Sequence, residues 1–248
     1  MFRDIGQLLV LFLRTLASLK LTWRHRRKFM EQLHEIGNAS LLMACILAFF
    51  IGGVLALEMG PVMVERGLSS YLGGIVGLSL CRELIPVMMA VLIAGRIGSA
   101  MAAEIGSMAV YQEIDALRTM NINPVHYLVL PRFVAICIAL PALTVLADLV
   151  GWFGGGIVCA TNHQIALSQQ TYFANLRETI QFQDVLHGLI KSFAFAVTIV
   201  IVSCHQGLHT IGGPRGIGRS VTKAVVNSII LILILDYFVT HLLLQLEP

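Results

Sequence analysis

Charge is what this chain has least of. Only 12% of its 248 residues are Asp, Glu, Lys or Arg, against 57% hydrophobic, and the mean hydropathy is +0.82. That balance excludes a soluble domain of this length and predicts an integral membrane protein. Aromatics are sparse, with two tryptophans, and no stretch interleaves them with basic residues, which excludes a nucleic-acid platform. The five cysteines, Cys45, Cys81, Cys137, Cys159 and Cys204, are odd in number, lie in apolar surroundings and show no CxxC spacing. They read as small packing residues, not as a disulfide or zinc framework. No internal repeat is evident, which argues against the inverted-repeat transporters.

What is present is a set of long apolar runs. Five spans are predicted, at about 37–57, 71–108, 133–158, 185–204 and 224–244. The second is too long for a ~30 Å hydrocarbon core at ~1.5 Å per residue, so it should tilt, break near Pro86 or project from the membrane. Pro141 is expected to kink the third. The fold class is therefore all-α, with five transmembrane helices.

Residues 5–30 carry Leu9, Phe12, Leu13, Leu16, Leu19 and Trp23 at helical spacing among Arg14, Lys20, Arg24, Arg26, Arg27 and Lys28. This is the pattern of an amphipathic helix lying in the membrane interface. The expected division is an interfacial segment at 1–35 and a five-span domain at 36–248. Arg14 and Lys20 interrupt the apolar region and no small-residue cleavage site precedes Trp23, so a removed signal peptide is not expected. Placing the N-terminus in the cytoplasm puts Arg3, Arg118, Arg132, Arg215, Arg219 and Lys223 inside with the N-terminal cluster. Only Arg66 and Arg177 remain in outside loops, and the C-terminus is then outside.

The second span carries Arg82, Glu83, Arg96 and Glu104. A charge at the bilayer centre costs about 2.5 to 3.5 kcal/mol on insertion scales, so such groups line a cavity or pair with one another. Arg82, Glu83 and Lys191 are expected at similar depth, as a polar collar for a lipid headgroup or as an internal ion-paired group. For Arg96, Glu104, Asp148 and Asp236 the structural reading is favoured. Ala94, Gly98, Ala102 and Gly106 recur at every fourth position, a small-residue ridge for close helix packing.

After this span, VYQEIDALRTM from Val110 to Met120 aligns Val110, Ile114 and Leu117 on one helical face, with Glu113, Asp115 and Arg118 around the others. It is too short and charged to span. It reads as a helix for a partner's groove or as a solvated connector. The glycine-rich GGPRGIG at 212–218 lacks the GK[ST] ending of a phosphate loop. His205 and His209, with Cys204, lack a third hard ligand and a general-base Glu, so no metal is expected. Ser99 has no His positioned to activate it, and no catalytic residue is predicted. The rival classes are an intramembrane enzyme using Glu83 or Glu104, and a scaffold that merely assembles a complex.

In RELIPV, AGRIGSAMAAEIG, QEIDALRTMNINP and PRF, the chain closely resembles the MlaE (YrbE) family of permeases, membrane subunits of ABC transporters that move phospholipids with MCE proteins. The resemblance runs from about Leu33 to Leu244. It implies a homodimer of five-span chains in a bacterial inner membrane, or less favourably a plastid envelope. The implied partners are an MlaF-like ATPase that carries the ATP and Mg, an MlaD-like MCE protein and, as a further candidate, an MlaB-like STAS subunit. It implies no cofactor on this chain. By resemblance, Tyr111 to Asn121 corresponds to the coupling helix, with Tyr111, Glu113, Ile114, Asp115, Leu117 and Arg118 at or near the ATPase. Arg82, Glu83 and Lys191 correspond to lipid-cavity charges, with Leu55 and Leu57 in the apolar wall.

Overall fold

The computed structural model describes residues 2–18 and 26–246. Leu19, Lys20, Trp23 and Arg24 lie outside the described residues, as do the side chains of Arg3, Arg26, Arg27 and Lys28. The described residues form helices and no strand. We number the helices α1 (Phe2–Ala17), α2 (Arg26–Glu65), α3 (Ser69–Val110), α4 (Glu113–Thr119), α5 (Val125–Thr161), α6 (Gln169–Thr179), α7 (Phe182–Leu208) and α8 (Gly213–Leu246). Five of them, α2, α3, α5, α7 and α8, are long and apolar enough to cross a membrane. The protein is an all-α multi-span membrane protein.

α1 ends at Ala17 and α2 already begins at Arg26, well before the apolar run that marks the first span. α1 buries Leu11 and Thr15, with Ser18 buried in the turn after it, and leaves Leu9, Leu13 and Leu16 exposed. An outward apolar face of this kind suits a lipid interface and is unfavourable in water.

α3 does not break at Pro86. It winds loosely instead: a π turn at Leu80–Leu84 lies directly before the proline. Pro86 has no N–H and its ring crowds the carbonyl four residues back, that of Arg82, so a widened turn relieves the clash without ending the helix. A second π turn, Ala94–Gly98, contains Arg96, and a third, Val125–Val129, starts α5. α5 likewise continues through Pro141.

Two compact units are distinguished. In the unit of Met1–Ser40, Ala90–Leu140 and Phe193–Pro248, α3 packs against α7 through the small-residue ridge. A Cβ on Gly98 would lie 2.9 Å from Ser203 Oγ, and one on Gly106 2.8 Å from Thr210 Oγ1. Gly207 answers from α7, so close to α3 that a Cβ there would lie 2.8 Å from Ile105 Cβ. Ala94 and Ala102 are wholly buried. In hydrocarbon there is no hydrophobic force between helices, so van der Waals contact at this short range is what holds them.

The unit of Leu41–Met89 and Pro141–Ser192 uses the same device twice. Gly52 on α2 lies against the Gly151 backbone of α5, with Gly154 against the Phe49 carbonyl. Gly73, Gly74 and Gly77 of α3 receive α6, where Gly74 N–H donates to Asn175 Oδ1 at 2.7 Å. α6 itself is opened by Ser168, whose Oγ accepts from Thr171 N at 3.1 Å, a serine N-cap.

Candidate functional site

The charges of the second span are all placed, and pairing governs their arrangement. In the first π turn of α3, successive residues Arg82 and Glu83 diverge to two partners on α7. Arg82 engages Asp184, with Nη2 to Oδ1 at 2.5 Å and Nε donating to the same oxygen at 2.6 Å. Glu83 Oε2 lies 2.6 Å from Lys191 Nζ. Asp184 and Lys191 are seven residues apart, two turns of helix, and so share one face of α7. Close approach of the helices is set by Gly188, where a Cβ would meet the Cys81 carbonyl and, at 3.3 Å, the Pro86 ring.

Asp184 is the member that sequence reasoning missed. It stands in the first turn of α7, where its Oδ2 accepts from Gln181 N at 2.7 Å. One carboxylate therefore neutralises Arg82 and satisfies an open helix N-terminus. Its signal was available: an acidic residue in the first turn of a span, in a chain whose second span carries arginines that need compensation.

Exposure separates the two pairs. The Lys191 side chain is 2% exposed, whereas Glu83 is 43% exposed; Arg82 is 27% exposed and Asp184 4%. Each pair thus has one anchored member and one that reaches an open surface. Leu55 and Leu57 lie on α2, Leu55 half-buried and Leu57 exposed. Two positions apart on a helix, they point about 200° from one another.

The remaining intramembrane charges serve other contacts. Glu104 accepts from Arg132 Nη2 at 2.6 Å, joining the AGRIGSAMAAEIG and PRF motifs. Asp148 is buried, and the Cys81 thiol donates to its Oδ2 at 3.8 Å. Arg96 is exposed.

α4 is a seven-residue helix, bracketed by Gln112 and Asn121, both at φ of 60°. Left-handed backbone at these non-glycine positions turns the chain sharply into and out of the helix. Ile114 and Leu117 face inward and are buried, so the outward face consists of Tyr111, Glu113, Asp115 and Arg118. Asp115 and Arg118 pair at 3.0 Å. So short a helix has little stability alone and needs its apolar side anchored to the fold.

No group of three or more metal-ligating side chains occurs among the described residues. His205 Nε2 instead lies 3.4 Å from Gln7 Oε1 on α1, and His209 Nδ1 donates to the His205 carbonyl at 2.9 Å.

These features define a polytopic helical membrane protein whose intramembrane charges are cross-linked by ion pairs and whose short helix α4 presents a charged face. The chain belongs to the MlaE permease family: the family profile described as Permease MlaE matches residues 29–242. It is 40% identical over 221 residues to a probable ABC transporter permease protein of Synechocystis, covering 89% of this chain and 83% of that one. It is 31% identical over 243 residues to the intermembrane phospholipid transport system permease protein MlaE of Haemophilus influenzae, covering 98% and 92%. The chloroplastic protein trigalactosyldiacylglycerol 1 of Arabidopsis thaliana is 33% identical over 221 residues, covering 89% and 63%.

Proposed function

We propose that this chain is the membrane-spanning permease subunit of an ABC transporter that moves phospholipid between the inner membrane and an outer compartment. It is a non-catalytic subunit, without a cofactor of its own. It acts as a homodimer with a separate ATPase that holds ATP and Mg, and with an MCE-domain protein. The N-terminus is cytoplasmic and the C-terminus periplasmic. The observation that carries the reading is the Glu83–Lys191 pair: a lysine wholly inside the protein holding a half-exposed carboxylate at span depth, in a chain of the MlaE family.

An exposed carboxylate in an apolar setting attracts the ammonium of a zwitterionic lipid, and Arg82 nearby attracts its phosphate. Because each is tethered to a buried partner, the two headgroup contacts keep fixed positions while Leu57, the exposed leucine of the two, meets acyl chains. Closure of the ATPases on α4 reshapes this site. Transport follows only if the two states differ in lipid affinity. The test is gentle purification with identification of bound protein and lipid. An ATPase chain and phospholipid should co-purify; lipid or peptide turnover by the isolated chain would instead establish the enzyme reading.

A further inference from the structure

The imidazoles set aside as metal ligands line a cavity. A space of about 600 Å³ lies among α1, the turn after α4 and the C-terminal end of α7, bordered by Arg14, Arg118, His205 and His209. A neighbouring space of about 330 Å³ shares Arg14 and Asn123 and adds His126. The described residues lining the two include two arginines, Arg14 and Arg118, and three histidines, His126, His205 and His209, and none is a carboxylate.

We infer that these adjoining cavities bind the phosphate headgroup of an anionic phospholipid at the membrane surface. Three features support a phosphate. Arg14 is exposed and has the planar donor fork that matches phosphate oxygens. Asn123 is exposed beside it, its Oδ1 already engaged by Val125 N at 3.0 Å, which orients its amide. His205 and His209 lie side by side with ring centroids 4.4 Å apart, tilted by 32°, and both border the larger cavity.

Two features favour a lipid over free phosphate. The site lies where α5 begins and α7 ends, at the ends of two spans and therefore at headgroup level. Val10, Leu11, Val125 and Leu208 supply an apolar side to the larger cavity. A lipid held there would connect the interfacial helix to the turn that follows α4. The inference concerns equilibrium binding and does not rest on the transport reading.

The test uses the full chain in phosphatidylcholine nanodiscs containing trace photoactivatable phosphatidylglycerol, with labelled peptides mapped by mass spectrometry. Labelling should fall on residues 6–14 and 123–126 and exceed that by photoactivatable phosphatidylcholine. Arg14→Gln should lower it several-fold, because a charge-assisted contact to the phosphate is lost, and adding His209→Gln should lower it further. Arg14→Lys should retain most of it, and Arg66→Gln, in an exposed loop, should leave it unchanged. Equal labelling by the two lipids, or full labelling of folded Arg14→Gln, would overturn the inference. So would competition by inorganic phosphate as effective as that by unlabelled phosphatidylglycerol, which would assign the site to a soluble anion. Arg14 is exposed on α1, so its single variants decide the matter even if the double variant fails to fold.

Discussion

Lys191 Nζ lies 2.6 Å from Glu83 Oε2, the lysine 2% exposed and the glutamate 43%. This pair is asymmetric in a way that a pair of surface charges is not. Truncating Glu83 removes an ionic contact of a buried ammonium, whereas truncating Lys191 leaves a carboxylate that water or a headgroup reaches. Glu83→Ala should therefore destabilise more than Lys191→Met, because the ammonium it leaves is buried while the carboxylate left by Lys191→Met is half-exposed. Thermal unfolding in detergent ranks them, and Glu83→Gln combined with Lys191→Met should recover part of the loss. An inverted ranking would mean that the lysine is not the anchored member.

Lipid contact makes a separate demand on the same residues. Glu83→Gln preserves shape and removes the charge, so crosslinking of photoreactive zwitterionic lipid should fall several-fold while the protein stays folded. Unchanged labelling in this variant and in Lys191→Met would leave the pair a purely structural one.

On α4 the inward and outward faces should separate cleanly. Glu113→Lys with Asp115→Lys should abolish co-purification of the ATPase while costing the permease little, because the Asp115–Arg118 pair is exposed and such pairs contribute about 0 to 1 kcal/mol. Ile114→Asp should instead lower the stability of the permease itself, since Ile114 is buried. ATPase retention in the charge-reversed variant would remove the coupling assignment.

The glycine crossings predict position-specific effects. Gly98→Val and Gly106→Val should each cost about 1 to 3 kcal/mol through overpacking, because Ser203 and Thr210 stand where the new methyls would go. Gly95 has open space at the same site. Gly95→Ala should be neutral or slightly stabilising, given the greater freedom a glycine loses in a helix. Unfolding midpoints in one detergent compare all three.

Tyr172 on α6 is wholly buried and its hydroxyl has no hydrogen-bond partner. Burial, reinforced by nearby Cys159, pushes the phenol above its ordinary value of 10.0. The folded state therefore holds this proton where the unfolded chain releases it, so stability is intact below about pH 10 and declines as pH rises beyond it. Tyr172→Phe should weaken that alkaline decline and cost little at neutral pH, where an unpaired buried hydroxyl is lost. An identical alkaline slope in the variant would show that Tyr172 does not contribute to it.

Much of this was legible in the one-dimensional pattern. Five apolar runs reach the ~20 residues that a helix needs to cross a bilayer, twice what a barrel strand needs, and a helix closes its own backbone hydrogen bonds in hydrocarbon, so the pattern of runs determined an all-α membrane protein. The four-residue recurrence of Ala94, Gly98, Ala102 and Gly106 marked a packing face for the same reason: helical geometry is local and repeats with a known period. Partner choice is not local. Arg82 and Glu83 are adjacent in sequence, yet α7 separates them onto Asp184 and Lys191, a result of helix rotation and depth that no spacing encodes. Likewise Ile114 and Leu117 share a face in any helix, but only the packing of α4 against its own chain decided that this face turns inward and leaves the charges outside. The sequence determined which groups must be compensated, because the cost of a bare charge in oil depends on residue type; tertiary structure decided which group compensates which, because that depends on distance.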